Sequence, residues 1–204
     1  MLKVMANTGK KNMQRRQDLL KVATEVFATQ GYSSATVRNI ADNVGVFSGS
    51  LYHYFESKEQ ILTEILGAML VDLRDSYQEI ELLKLHPKES LSGLLGVGFG
   101  ALEHWQQEIL ILQNEFPHLV TKPSFSFVSE IQREIEQVWV RELGRGRDGK
   151  VFSANLDAEF VYRVIMGSIL NAARWYRHDG SLTAKQLGKA HAEFFLKAMS
   201  VGAT

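Results

Sequence analysis

Cysteine is absent from the 204 residues, which excludes disulfides, thiolate metal sites and cysteine nucleophiles and agrees with a reducing compartment. Proline occurs three times, at Pro87, Pro117 and Pro123, so little interrupts a helix. No apolar run approaches the roughly 20 residues of a membrane span. The stretch "MLKVMANTGKKNMQRR" lacks the apolar core and cleavage site of a signal peptide, so a cytoplasmic protein without a membrane partner is expected. Enzyme signatures are missing too: there is no G-x-S-x-G, H-E-x-x-H or phosphate-loop motif. The six histidines, His53, His86, His104, His118, His178 and His191, are too scattered to compose a site. Glu103, His104 and Glu108 share a helical stretch, which is more economically a solvated face than a metal site. No catalysis, cofactor or metal is therefore expected.

Net charge is also missing, since 23 Lys and Arg balance 23 Asp and Glu, but the balance is uneven along the chain. Residues 1–60 hold eight basic residues against five acidic ones, and residues 61–120 hold three against nine. Lys3, Lys10, Lys11, Arg15 and Arg16 precede any acid. Such a front end fits a polyanion partner, or a solvated disordered tail over residues 1–12.

Apolar residues recur at helical spacing almost throughout, and the chain reads as all-α. A first helix spans about 13–29, with Leu19, Leu20, Ala23, Val26 and Phe27 on one stripe and Gly31 as its stop. Thr36 caps a short second helix, with Ile40 and Ala41 inward, that Gly45 ends. A third short helix covers 48–54, and Ser57 with Gln60 has the spacing of a capping box for a long fourth. Further helices are expected from Pro87 to Glu103, up to Phe116, over 125–145, from Asp157 to Tyr176, and over 184–199 behind a Thr183/Gln186 capping box. "PHLVTKP" reads as a loop, and "GRGRDGK" as a helix break.

Two short helices joined by a glycine turn are the elements of a helix-turn-helix, whose second helix enters the DNA major groove. In "SGSLYHYF", Leu51 and Phe55 lie four apart and point into a core, which turns Ser48, Gly49, Tyr52 and His53 outward. Small residues let backbone approach bases or phosphates, and Tyr and His supply donors and flat faces. A surface helix with a chance aromatic cluster has the same spacing.

Residues 14–66 resemble the amino-terminal DNA-binding domain of TetR-family transcriptional regulators. The matching motifs are Phe27-x-x-x-Gly31-Tyr32, Thr36-Val37-x-x-Ile40-Ala41, Gly49-Ser50-Leu51-Tyr52-x-Tyr54-Phe55 and Ser57-Lys58-Glu59-x-Ile61-Leu62. The resemblance implies a three-helix DNA-binding head over residues 13–58 and a helical effector-binding and dimerisation body over 59–204. It implies a repressor that leaves double-stranded DNA when a small molecule binds. Carried over by position, Thr36 and Lys58 meet phosphate, Ser48, Gly49, Ser50, Tyr52 and His53 form the recognition helix, and Tyr54 reaches the backbone from its edge. Phe47 stands where the family usually has a small polar cap. Either Ser48 takes over capping, or Phe47 tucks against the head or the DNA.

The body is less legible. Phe99, Trp105, Phe116, Phe127 and Trp139 supply surface for a pocket, or simply for a core. Gly93, Gly96 and Gly100 have no strand before them, so "GLLGVGFGA" is read as close helix packing, or space beside a ligand, rather than a nucleotide loop. Arg174 and Arg177 complement a helix carboxyl end. The tail also resembles a TetR subgroup that represses steroid and cholesterol catabolism and senses a CoA thioester. By that resemblance Arg133, Arg141, Arg174 or Arg177 meets CoA phosphates; a hydrophobic drug or free fatty acid is the alternative effector. Gly167, Ala172, Leu187, His191, Phe194, Phe195 and Ala198, on the last two helices, suit a four-helix homodimer interface. Two heads so joined imply a near-palindromic site with half-sites roughly 34–36 Å apart, or a multiple of that.

Overall fold

The computed structural model describes residues 2–200, and side chains from residue 12 onward. Among the described residues there are nine α-helices and no strand. They are α1 (Leu2–Gln30), α2 (Val37–Val44), α3 (Ser48–Leu51), α4 (Lys58–Leu82), α5 (Pro87–Gly100), α6 (Gln106–Leu119), α7 (Ser126–Asp148), α8 (Ala158–Trp175) and α9 (Ala184–Met199).

Helices α1 to α3 close around Leu19, Ala23, Phe27, Ile40, Ala41, Leu51 and Phe55, all buried. The start of α4 completes this core with Ile61 and Leu62. Arg16 reinforces the join, pairing with Glu64 on α4 and lying 4.6 Å over the Phe55 ring. In the body, α5 lies along α9, and α4 packs on α7. Gly188 makes the first contact close: a Cβ there would sit 3.4 Å from the Leu95 carbonyl oxygen and 3.5 Å from Gly96 Cα. The close-packing reading of the glycine-rich α5 thus holds for Gly93, whose Cβ would meet Ile80 at 3.1 Å, whereas a Cβ at Gly96 would itself meet nothing within 4 Å. Gly100 has nothing within 4 Å of such a Cβ.

Several boundaries differ from expectation. Helix α1 runs from Leu2, so residues 2–12 of the expected tail are helical; Met1 lies outside the described residues. No proline or capping signal interrupts that stretch, and a helix already nucleated propagates at little cost. Helix α3 ends at Leu51, and the expected remainder is a tighter turn in which Tyr54 N–H donates to Leu51 O at 2.9 Å. Ser57 caps α4, accepting from Gln60 N–H at 3.0 Å. The expected box stays open, because Gln60 Oε1 accepts from Glu56 N–H instead. Helix α6 continues through Pro117 to Leu119, which is 1% exposed. Proline removes one donor and keeps a helical φ, and burial of Leu119 rewards the extra turn. Residues 101–103, expected as the end of α5, form a separate 3₁₀ turn.

The glycine run also fails to break α7, which reaches Asp148. Gly146 serves packing instead: a Cβ there would lie 2.2 Å from the ring of Phe152, itself 1% exposed. The segment after α7 is further pinned by Ser153 N–H donating to Met199 O at 2.9 Å. Capping of α8 by Asp157 and of α9 by the Thr183/Gln186 box is as expected.

Gly146→Ala should lower the thermal midpoint, because overpacking of about 1–3 kcal/mol exceeds the gain of about 1 kcal/mol for alanine over glycine in a helix. Gly144→Ala, where a Cβ meets nothing within 4 Å, should raise it. Thermal unfolding of the two variants side by side checks this.

Candidate nucleic-acid interface and effector cavity

The head's outer surface is organised by two caps. Thr36 Oγ1 accepts from Asn39 N–H at 3.1 Å, and Asn39 Oδ1 accepts from Thr36 N–H at 2.9 Å. Gly45, at φ +70°, ends α2 in the left-handed region that glycine adopts without strain. Val46 N–H then donates to Ala41 O at 3.0 Å, which fixes the entry to α3. Leu51 and Phe55 are buried, while Thr36, Gly49, Tyr52 and His53 are exposed and Ser48, Ser50 and Tyr54 half-buried. The expected recognition residues Ser48, Gly49, Ser50, Tyr52 and His53 are therefore at least partly accessible, on α3 and just after it. Neither capping by Ser48 nor packing on the head describes Phe47. It is itself the N-cap of α3, without a side-chain capping bond, and is 88% exposed.

Lys58 is the clearest departure in the head. Its ammonium donates to the carbonyls of Tyr32 and Ala35 at 2.7 Å each and reaches Ser33 O at 3.4 Å. It also lies 4.4 Å over the Tyr32 ring. Where a phosphate contact was expected, the ammonium of this structure is engaged internally. Gly31, at φ +78°, turns the chain out of α1 and leaves carbonyls without helical partners, and a buried acceptor must be paired. Burial, together with the nearby Lys122, holds the Lys58 pKa below that of an ordinary lysine, and Glu115 opposes this. Glu115 on α6 is buried and accepts from Tyr32 N–H at 3.1 Å. At the start of α4, Glu59 accepts from the Ser124 hydroxyl at 2.6 Å and pairs with Lys122 at 3.3 Å. The Ser124 bond, with Lys122 in support, pulls the Glu59 carboxyl below its usual pKa. Head and body are therefore joined by polar contacts at one turn. No sequence signal announced Glu115, whose partner lies 83 positions away.

In the body, α4, α5, α6, α7 and α8 enclose a cavity of about 620 Å³, within the usual range of small-molecule sites. Leu73, Leu112, Phe116, Met166 and Ile169 make it mainly apolar. Its polar groups are Tyr77, Tyr162, Gln113, Gln132, Ser129, Glu136 and Arg133. Burial, with the charge of Glu136 adding to it, pushes the Tyr162 hydroxyl up to about 12. Burial and Tyr162 raise Tyr77 further, so both remain neutral hydrogen-bond donors at physiological pH. Gly98 makes room beneath them: a Cβ there would collide with Ile169 Cδ1 at 2.6 Å and the Tyr77 hydroxyl at 2.8 Å.

Of the expected effector residues only Phe116 lines this cavity, together with Arg133 among the four arginines. Trp139 is fully buried behind the wall, edge-on to Tyr77 at 5.6 Å. Phe99 is buried against His191, with ring centroids 4.1 Å apart. Trp105 donates its indole N–H to Asp72 at 2.7 Å. Phe127 stacks on Phe125, 6.3 Å between centroids, and lies below Gly67. Arg174 reaches Asn114, Arg177 pairs with Asp179, and Arg141 is bidentate to Glu81. Large aromatics are the best core fillers, so most were drawn away from the void. The residues around it are those whose helix phase faces the gap.

The expected dimer residues divide. Ala172, Leu187 and Phe195 are buried inside this chain and His191 is half-buried, whereas Gly167, Phe194 and Ala198 are exposed. The inner face of α9 is consumed by α5, which leaves the opposite face free. Sequence reasoning missed Phe160, Val164 and Trp175 on α8, which are 64%, 43% and 50% exposed. Phe160 and Val164 stand four apart and Val164 and Trp175 eleven apart, so that with Gly167 they fall on one face of α8; Phe194 is exposed on α9.

Comparison with known proteins agrees with this architecture. The family model described as bacterial regulatory proteins, tetR family, matches residues 19–65. A second, described as a tetracyclin repressor-like C-terminal domain, matches residues 84–199. The chain is 38% identical over 177 residues to the HTH-type transcriptional repressor KstR2 of Mycobacterium tuberculosis, covering 87% of this chain and 88% of that one. It is 35% identical over 186 residues to KstR2 of Rhodococcus jostii, covering 91% of each. The solved structure of the ketosteroid transcriptional regulator KstR2 of M. tuberculosis superposes with a TM-score of 0.89 at 37% identity, covering 92% of this chain and 96% of that one.

Lys58→Met should cost about 1.5–3 kcal/mol, the worth of hydrogen bonds from a charged group, and should weaken DNA binding through a disordered turn. If Lys58 met a phosphate, the substitution would also flatten the salt dependence of binding by about one counterion. The geometry predicts an unchanged slope, which DNA titrations at several salt concentrations will measure.

Proposed function

The chain belongs to the tetR family of bacterial regulatory proteins, and from that premise we propose that it represses transcription from a near-palindromic operator as a dimer and is released by a CoA thioester with a steroid-derived ring portion. It is a DNA-binding regulator and not an enzyme, as its relatives are repressors. Regulators of this family bind their operators as dimers and respond to small-molecule effectors.

On the DNA side, Ser48, Gly49, Ser50, Tyr52 and His53 read base edges, while Thr36, Tyr54 and the backbone at the start of α2 meet phosphate. Lys58 holds the turn that carries them. On the association side, Phe160, Val164, Gly167, Trp175 and Phe194 pair with their copies across a two-fold axis, which removes a large apolar surface from water.

The observation that carries the effector reading is the cavity, apolar in its depth and with Arg133 in its lining. Fused rings suit the apolar part, the Tyr77 and Tyr162 hydroxyls suit a keto or hydroxyl oxygen, and Arg133 suits an anionic thioester arm that leaves through the opening. Release follows from the walls. Met69 and Leu70 belong to α4, and Ile109 and Leu112 to α6. Both helices are fastened to the head, so a ligand that fits better when they spread shifts the population toward a head spacing the operator does not accept. Resemblance to KstR2 at this coverage favours this ligand class over a free fatty acid or a drug.

Thermal shift against ring-bearing acyl-CoA thioesters, the corresponding free acids and cationic drugs tests the ligand class, since a bound ligand raises the midpoint by mass action. The thioesters should stabilise the protein and lower its DNA affinity, which itself should fall with salt. Stabilisation by the free acids alone would replace this reading with the fatty-acid one. Arg133→Ala should raise the thioester concentration needed for release about tenfold, in line with one charge-assisted hydrogen bond. Phe194→Glu should shift the protein toward monomer in light scattering and weaken operator binding.

A further inference from the structure

Phe47 is the most exposed large apolar side chain among the described residues, at 88%. It occupies the N-cap of α3 but makes no side-chain capping bond, so it forgoes the stabilisation that serine or aspartate gives there. Neither local structure nor packing within this chain explains a phenyl ring at this position. The ring is nevertheless well placed. The left-handed Gly45 and the Val46 N–H to Ala41 O bond set its approach, and Phe47 O accepts from Ser50 N–H at 2.8 Å. Gly49 beside it is equally unexplained by the fold, since a Cβ there would meet nothing within 4 Å. Its missing side chain leaves room on the outside. Tyr52 and His53, three and four positions after Gly49, are exposed as well.

We infer that Phe47 is a specificity-determining residue that packs on the C5-methyl group of a thymine in the major groove, with Gly49 admitting the close approach. This inference rests on the operator-binding reading above. A phenyl ring has nothing to donate to a phosphate or a base acceptor. Of the features that base pairs present in the major groove, the thymine methyl is the apolar one. The ring stands at the N-cap of the proposed reading helix, whereas the apolar faces left for a second copy of this chain lie on α8 and α9.

The experiment uses the full-length protein and duplexes enriched from a randomised library by the unaltered protein. Each thymine is then replaced singly, and in symmetric pairs, by deoxyuridine, which removes only the methyl group. Phe47→Ala and Phe47→Ser are measured alongside; the exposure of the ring means that neither melts below the parent, and serine, which can cap α3, melts at or above it. The expected result is one symmetry-related thymine pair at which uracil weakens the unaltered protein about fourfold per half-site, the worth of one buried methyl-sized group, and leaves both variants indifferent. An equal uracil penalty in parent and variants, or sequence-selective binding with no sensitivity to uracil, overturns the inference and leaves the operator reading intact. Absence of any sequence-selective binding by the unaltered protein overturns both.

Discussion

The Lys58 ammonium, set among three main-chain carbonyls of the α1–α2 turn, fixes how the small head relates to everything behind it. That turn exits α1 through a left-handed glycine and would otherwise carry unpaired acceptors into a partly buried place. Glu115 satisfies its remaining amide from the other side. The cation belongs to the first residue of α4 and the anion to α6, so one short turn is held by both helices that also wall the cavity. The two charges offset each other across the turn, which makes burial of each less costly than burial of either alone. An allosteric route needs a mechanical connection between its sites, and this turn offers one beside the packing of α1 on α6.

The cavity is a consequence of how the other body helices pack. Helix α9 lies on α5 closely enough to need Gly188, and Gly98 on the other face of α5 admits Ile169 and the Tyr77 hydroxyl. Trp139 fills the space behind Tyr77. With these contacts tight, the remaining void collects between α4, α6, α7 and α8, where side chains of moderate size meet without filling it. Tyr77, buried, and Tyr162, half-buried, then offer hydroxyl donors in an otherwise apolar space.

Much of the head was legible in advance. Thr36, Gly45, Leu51, Phe55 and Ser57 act through spacing and backbone geometry, which are local in sequence, and each took its expected place. The internal contacts of Lys58 were not legible, because they depend on carbonyls 23 to 26 positions earlier. The body shows the same division. The caps Asp157 and Thr183 were visible, but of the aromatics proposed for a pocket only Phe116 faces the void. Aromatic character marks a residue for burial without saying whether it meets a core or a cavity. Gly146 illustrates the limit most simply: beside Gly144 and Gly149 it reads as a helix breaker, and contact with Phe152 makes it a packing residue within the helix.

By itself the sequence determined the all-helical class, the capping sites, the helix-turn-helix and the outward set of α3 residues, because periods of three to four residues and cap chemistry act within a single turn. The tertiary structure alone decided which apolar faces of α8 and α9 are spent internally, which side chains surround the cavity, and that Lys58 faces inward. Those outcomes depend on which helix lies against which, and that is set by side-chain volumes meeting across distances in sequence that no local pattern records.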